Sequence, residues 1–241
     1  MTRHRQLLSS LCAATLVAGF AACAQDGGDK TILITNNVAA PLDTCVLTVS
    51  EAGPFRSSGV VDAAFGEAYF LLPQIENLTT SNGGTLTANR TFFAEGFRVV
   101  LTSPGPATQA AIGSLGTYSI PKAFTVAPDG GGFIASLRLL EPKLIEAIRP
   151  TIPLDKRALV IASVELIGKV GGSQVTSNKF DYPIEFCVGC LIRSLGACAA
   201  LDPAFTITLK GNACNPGQDN VVQCCQEPGG YVCPAVGTKK P

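Results

Sequence analysis

Cysteine is the residue type in this chain with the greatest capacity for chemistry, because thiols form disulfides, bind metals and act as nucleophiles. The 241-residue sequence contains ten cysteines against one histidine, one methionine and no tryptophan. Two of the ten lie in the N-terminal segment, which leaves eight. An even number of cysteines in an exported protein predicts disulfides. The eight predicted disulfide cysteines are Cys45, Cys187, Cys190, Cys198, Cys214, Cys224, Cys225 and Cys233.

The spacing of these eight cysteines limits how they pair, although it leaves many connectivities open. Seven of them lie from Cys187 to Cys233, and an odd set cannot pair entirely within itself. If all eight are oxidised, one bond therefore reaches back to Cys45. Cys224 and Cys225 are adjacent, and each is expected to pair elsewhere because a bond between neighbours is strained. The Cys-rich end is thus predicted to be covalently joined to the body of the protein.

Two other uses of the thiols stay open at this point. Cys187-Val-Gly-Cys190 has the spacing of a metal-binding pair, and Cys224 and Cys225 offer two further ligands for zinc. The same Cys187-x-x-Cys190 segment fits a thiol–disulfide oxidoreductase if residues 191–195 are helical, because a helix N-terminus activates one thiol. Structural bridging is the favoured interpretation, since many cysteines crowd the segment and no βαβ pattern precedes it. No metal and no cofactor are predicted.

The N-terminal residues have the layout of a secretory signal. Two arginines precede an apolar stretch from Leu7 to about Ala22, which is shorter than the roughly 20 residues of a membrane-spanning helix. The small residues before Cys23 resemble the lipobox of bacterial lipoproteins, in which this cysteine becomes the first mature residue and carries lipid. The resemblance is confined to this segment and departs from the family at Phe20, where leucine is usual.

The resemblance implies lipidation of Cys23 and a location in the bacterial cell envelope, on the periplasmic or surface face of the outer membrane. Ordinary cleavage after Ala24 is the competing interpretation. Residues 1–22 are then the signal peptide, and the polar, glycine-containing residues 23–29 are a flexible tether. The predicted partners are the membrane, through the lipid, and an envelope protein. A formal net charge of zero predicts no nucleic-acid binding.

Hydrophobic periodicity predicts an all-β fold for the rest of the chain. Short alternating segments separated by polar turns favour an antiparallel β-sandwich of about 8–10 strands over residues 30–186. Residues 187–241 are predicted to form a disulfide-rich, loop-rich appendage packed on the sandwich. Hydrophobic residues make up 46% of the chain, which is too many for a disordered protein.

The individual strand predictions follow from period-two alternation. Phe180–Phe186 places Pro183 on its polar side, which is typical of an edge strand or a bulge. Residues 158–177 are expected to form a hairpin around two glycines, residues 205–210 a strand, and residues 142–148 the one helix. The other predicted strands are Thr31–Thr35, Cys45–Ser50, Ala68–Leu72, Phe97–Thr102, Tyr118–Val126 and Phe133–Leu140.

Few residue types of known catalytic sites remain in the mature chain. The one histidine is His4, inside the predicted signal, so Ser–His–Asp and histidine-based metal sites are excluded. Ser119 and Lys122 match the Ser-x-x-Lys motif of penicillin-binding enzymes, but strand spacing puts them on opposite faces. Asp181 and Glu185 form a candidate carboxylate pair for sugar hydrolysis, and a solvated strand face is the favoured interpretation.

One oxygen-rich segment, residues 212–220, is a weak calcium candidate because only one of its ligands, Asp219, carries charge. The sequence therefore predicts a non-enzymatic, lipid-anchored envelope protein with a structural or interaction role, as a scaffold or an adhesion protein. A ligand- or peptide-binding β-sandwich is the first alternative. A thiol–disulfide oxidoreductase using Cys187 and Cys190 is the second.

Overall fold

Short strands form most of the regular structure, as the alternating segments predict. The computed structural model describes residues 30–39, 54–65, 67–80, 90–153, 156–201, 206–212 and 215–233. The chain divides into two units, Met1–Lys30 and Thr31–Pro241, and every element below belongs to the second. Cys23, Cys45 and Cys214 lie outside the described residues, and so do the predicted strand Cys45–Ser50 and the signal segment.

The strands are numbered in chain order. They are β1 Ile32–Asn37, β2 Gly59–Asp62, β3 Tyr69–Leu71, β4 Pro73–Asn77, β5 Phe92–Thr102, β6 Thr117–Val126, β7 Gly131–Ile134, β8 Leu137–Leu140, β9 Ala158–Val170, β10 Ser173–Thr176, β11 Phe180–Cys187, β12 Ile192–Ala197, β13 Val222–Glu227 and β14 Gly230–Val232. The helices are α1 Pro106–Ile112 and α2 Pro142–Ile148.

The largest sheet has six strands in the order β2-β11-β9-β5-β6, with β10 paired to β9. All of its pairs are antiparallel except β2–β11, which is parallel. The predicted hairpin is confirmed as β9–β10, and Gly171 and Gly172 have φ of 56° and 84° at its turn. Positive φ at both turn residues matches the right-handed twist of the flanking strands, so glycine suits both positions.

Three smaller sheets complete the fold. One has the order β1-β4-β7, a second pairs β3 with β8, and a third has the order β12-β13-β14. In the third sheet β12 and β13 run parallel, although most of the molecule is antiparallel. The all-β class is therefore confirmed, with two parallel pairs that the alternation pattern did not reveal.

The buried apolar residues that the structure describes form one cluster, to which the six-stranded sheet and the sheets β1-β4-β7 and β3-β8 all contribute. The alternation of β11 is confirmed, since Tyr182, Ile184 and Phe186 are buried and Asp181 is exposed. Helix α2 covers part of this core with three buried residues. The core side chains with no exposed surface include Ile32, Ile75, Val99, Leu137, Ile145, Ile148, Val160, Val164 and Ile184.

Two sequence predictions differ from the structure. Residues 206–209 form no strand, and Lys210 makes only an isolated bridge to Val222. Helix α1 is the second difference, since the sequence Pro104-Gly-Pro106 at its start is typical of a turn. Pro106 instead occupies the first turn of the helix, where its missing N–H has no intrahelical partner to lose.

The position of Pro183 also corrects an expectation. Strand β11 pairs with β9 along almost its whole length, and β2 joins its other side from Ile184 onwards. Pro183 lies just before that point, so only the first half of β11 has one described neighbour. The strand as a whole is interior rather than an edge.

Candidate functional site

Three disulfides account for six of the eight predicted cysteines. Cys198 bonds Cys225 and Cys224 bonds Cys233, so the adjacent cysteines pair elsewhere as predicted. Both bonds lie around the sheet β12-β13-β14. The third joins Cys187 and Cys190, which span three positions at the end of β11.

A buried carboxylate lies directly beneath the Cys187–Cys190 loop. Asp62 ends β2 and is 1% exposed. One of its oxygens accepts hydrogen bonds from the N–H groups of Ala64 (3.0 Å) and Gly189 (2.7 Å), and the other accepts from Leu191 N–H (2.9 Å). A carboxylate oxygen of Asp62 and the two sulfur atoms lie within 4.8 Å of one another. This group of three side chains is the Asp62 cluster below.

The setting of Cys190 does not match that of an activated thiol. The residues after it were predicted to be helical if the segment were an oxidoreductase site, but they form strand β12. Among the described residues no helix follows Cys190 directly, and the Asp62 carboxylate on β2 lies within 4.8 Å of both sulfurs. A negative charge disfavours a thiolate, which is the reactive form of cysteine.

The loop 215–220 closes the free edge of β2. Asp62 N–H donates to Gly217 O (2.9 Å), and Asp219 N–H donates to Val60 O (3.0 Å). Val60 N–H in turn donates to the Asp219 carboxylate (2.8 Å). Because an exposed strand edge can pair with another chain, the loop covers backbone groups that would otherwise be open to such pairing.

Two amide side chains pair with strand edges as a neighbouring strand would. Gln218 accepts from Phe70 N–H (2.9 Å) and donates to Phe70 O (2.7 Å). Asn178 accepts from Ile34 N–H (2.7 Å) and donates to Ile34 O (3.1 Å). A carboxamide carries one acceptor and one donor side by side, which is why it can replace a backbone peptide group here.

A chain of buried polar groups links the loop 215–220 to the centre of the molecule. Tyr69 and Tyr182 are 0% and 1% exposed, and their hydroxyl oxygens are 3.1 Å apart. Tyr69 Oη lies 3.2 Å and 3.3 Å from the Asp219 carboxylate oxygens. Asn37 donates to Tyr182 Oη (2.9 Å). We call these four residues the tyrosine cluster.

The hydrogen bonds of the tyrosine cluster run in one direction. The Oδ1 atom of Asn37 accepts from Leu72 N–H (2.8 Å), so its amide nitrogen is the group that faces Tyr182. Tyr182 then donates to Tyr69, and Tyr69 donates to the Asp219 carboxylate. Every buried hydroxyl is thereby satisfied, which a buried polar group requires if it is not to destabilise the fold.

The ionisation of the tyrosine cluster reflects its burial. Burial raises the pKa of Tyr182 to about 12, and it raises the pKa of Tyr69 well above its ordinary value, with the Asp219 charge acting in the same direction. Burial also raises the pKa of Asp219, opposed mainly by the hydrogen bond from Val60 N–H. The cluster therefore favours neutral phenols.

Alkali is expected to unfold the protein through the tyrosine cluster. The pKa of Tyr182 is about 12 in the folded protein, whereas an unfolded tyrosine titrates near pH ~10. The stability that neutral Tyr182 gives to the folded state is therefore fully present below pH ~10 and is lost as pH rises to about 12. Its size is about 3 kcal/mol. Circular dichroism and phenolate absorbance measured together would record the loss, and Tyr182→Phe should make stability less pH-dependent over this range. Tyr182 ionising near pH ~10 in folded protein would contradict the prediction.

The candidate carboxylates Asp181 and Glu185 lie on the outer face of the six-stranded sheet. Lys179 pairs with Asp181 (3.8 Å), and Arg157 pairs with Glu185. The same face carries Arg98–Glu165 (3.5 Å) and Lys169–Glu95 (2.8 Å) across neighbouring strands. The favoured interpretation of a solvated strand face agrees with these ion pairs.

The two other candidate motifs also have structural settings. Ser119 and Lys122 are exposed on strand β6, so they are not held together on a helix. In the calcium candidate, the Asp219 oxygens accept protein hydrogen bonds and Asn215 Oδ1 accepts from Gly217 N–H (3.3 Å). These oxygens of residues 212–220 therefore serve the edge-closing loop.

Comparison with known proteins gives a plain result. No family model, curated protein or solved structure matches this chain. Within the described ranges, no helix has the length and apolar character needed to cross a bilayer. The geometry of the Asp62 cluster, the loop 215–220 and the tyrosine cluster is therefore the basis for a functional proposal.

Proposed function

We propose that this protein is a non-enzymatic, lipid-anchored protein of the bacterial envelope with a structural or interaction role. One observation carries the proposal: the C-terminal region closes the edge of the main sheet and is itself held by disulfides. Buried polar side chains that could otherwise act in a site, such as Asp219 and Tyr69, are hydrogen-bonded to each other and join that region to the β body. Such a body is suited to presenting a stable surface outside the cytosol.

Disulfides support the exported location, because they persist in oxidising compartments. The anchor is proposed from the lipobox-like residues before Cys23 and the polar tether 23–29. One acyl chain holds a protein only weakly at a membrane, whereas the several chains carried by bacterial lipoproteins hold it stably.

Intact mass of the protein extracted from membranes tests this proposal directly. The expected species begins at Cys23, carries acyl chains, and is lighter by two hydrogens for each disulfide. A mass that starts at Gln25 without lipid would replace the anchor with ordinary secretion. A mass that retains residues 1–22 with all thiols reduced would reject the envelope location altogether.

Cys23→Ser is expected to abolish incorporation of a palmitate label when the protein is expressed in a Gram-negative host. The reason is that the thiol is the atom acylated in the lipoprotein family that the segment resembles. Cys12→Ser is the matched control, because Cys12 lies in the same leader but outside the lipobox, and it should keep the label. Equal labelling of both variants would contradict lipidation at Cys23.

The peptide-binding alternative has less support. Peptides can bind by adding a strand to a sheet edge, but β11, the predicted edge strand, is flanked by β9 and β2 over its second half. Strand β6 is a longer edge of the same sheet, but Pro121 and Lys122 stand in its middle. Proline and lysine on an edge are features that oppose pairing with another strand.

A further inference from the structure

The two cysteine residues of the Cys187–Cys190 bond differ in their exposure to solvent. Cys187 ends a central strand and is 2% exposed, whereas Cys190 lies on the exposed side of the loop. We therefore expect a reagent in solution to reach Cys190 more readily than Cys187. This asymmetry gives the pair an outer and an inner sulfur.

The loop between the sulfurs is held in shape by Asp62. Its carboxylate accepts the N–H of Gly189, inside the loop, and the N–H of Leu191, just after it. Gly189 has φ of 76°, a left-handed conformation that brings the chain back toward Cys187. Because these contacts do not involve the sulfur atoms, they are able to form before the disulfide does.

The pair also has the shortest separation of the three described disulfides: three residues, against nine and 27. A short loop gains little from restriction of the unfolded chain, so this bond contributes least to stability on that ground. Its geometry instead suits rapid local formation.

We propose that Asp62 is a positioning residue for disulfide formation at Cys187–Cys190, with Cys190 as the sulfur that meets an external disulfide oxidant. The Cys190 thiolate attacks one sulfur of the oxidant, forming a mixed disulfide and releasing one thiolate. The Cys187 thiolate then attacks Cys190 Sγ and displaces the second thiolate. The protein loses two electrons and two protons, and the oxidant's disulfide becomes two thiols.

This order gives the pair a role in folding that is independent of the lipid anchor. Early closure of Cys187–Cys190 withdraws two thiols from competition among the eight predicted cysteines. The remaining C-terminal cysteines then have fewer incorrect partners. The Asp62 cluster is thus a local guide to correct pairing.

Single-cysteine variants test the order of attack. Folded Cys187→Ser, treated with oxidised glutathione, should accumulate a glutathione adduct on Cys190. Folded Cys190→Ser should form its adduct on Cys187 at least about tenfold more slowly, because that sulfur is buried. Adduct formation at equal rates would overturn the assignment of Cys190 as the outer sulfur.

A redox titration tests the role of Asp62. Asp62→Asn should lower the equilibrium constant for forming the Cys187–Cys190 bond with glutathione by about tenfold, because a reduced loop with weaker hydrogen bonds to residue 62 brings the two thiols together less often. Asp181→Asn, an exposed carboxylate on β11, is the matched control and should leave it unchanged. A purely structural Asp62 would affect oxidised and reduced protein equally and would leave the constant unchanged, which would overturn the proposal.

If Asp62→Asn does not fold, a second variant tests whether the shape of the loop controls formation of the Cys187–Cys190 bond. Gly189→Ala meets no neighbouring atom within 4 Å, but it strains a backbone with φ of 76°. It disturbs the same loop while leaving the carboxylate in place, and it should lower the same equilibrium constant. A wild-type constant in Gly189→Ala would show that loop shape does not control the bond.

Discussion

Cys45→Ser is expected to leave one free thiol, at Cys214, and to lower the free energy of unfolding by about 5 kcal/mol. The three described disulfides use six of the eight predicted cysteines, which leaves these two. A bond between them closes a loop of roughly 170 residues, and loop-closure entropy grows with loop length. Thiol counting, peptide mapping and denaturant unfolding measure the effect.

The control for this prediction is the double variant Cys187→Ser/Cys190→Ser. It removes a bond across three positions, so its expected loss is about 2 kcal/mol. Like Cys45→Ser, it is expected to remove one disulfide, but it opens a far shorter loop and leaves no free thiol. A free Cys45 thiol in folded wild-type protein would show that the long-range bond does not form.

Tyr69→Ala is expected to lower the free energy of unfolding by about 3–5 kcal/mol, the range for removing a large buried aromatic side chain. Tyr69 has no exposed surface and packs near Tyr182, with ring centroids 6.3 Å apart. Its loss also leaves the Asp219 carboxylate and the Tyr182 hydroxyl without their mutual partner. Chemical denaturation followed by circular dichroism measures the change.

Two further variants separate the contributions at Tyr69. Tyr69→Phe keeps the ring and removes only the hydroxyl, so the expected loss falls to about 1–3 kcal/mol. Tyr231→Ala is the exposed control, because Tyr231 is 48% exposed and its replacement should stay within about 0.5 kcal/mol. A wild-type unfolding curve for Tyr69→Phe would mean that the tyrosine cluster adds nothing to stability.

Strand positions were predictable where one face of a strand is buried and the other is solvated. Strand β11 is the clearest case, since its apolar residues alternate and point into the core. Helix α2 was predicted with its observed bounds because proline begins it and apolar residues recur at helical spacing. Strands β2, β4, β12, β13 and β14 were missed, because each is only three to six residues long and offers few apolar residues to show a period.

The tyrosine cluster was beyond the reach of sequence patterns. Its members Asn37, Tyr69, Tyr182 and Asp219 come from four distant segments, and no local spacing marks them as neighbours. Asn178 and Gln218, whose side-chain amides pair with strand edges, look like ordinary loop residues in the sequence for the same reason. Gly59 packs against the cluster, where a Cβ would overlap Tyr69 Oη, but a glycine before a short apolar run does not reveal that neighbour in the sequence.

The cysteine pattern was informative only about counting. It predicted that the adjacent Cys224 and Cys225 pair with different residues, and the structure confirms this. It did not identify Asp62, because a single aspartate far from Cys187 has no sequence relation to it. The number of cysteines can be read from the sequence, whereas the closeness of Asp62 to Cys187 arises only in the folded protein.

The closure of the β2 edge by residues 215–220 has a consequence for the timing of assembly. Arg56 bonds Asn220 across 164 positions, and Val60 bonds Asp219 across 159. During synthesis from the N-terminus, Asp219 and Asn220 are made long after the residues to which they bond. The nascent polypeptide is therefore expected to complete its fold only after nearly all of it has been synthesised. Late folding is compatible with export of the unfolded chain through a translocation pore.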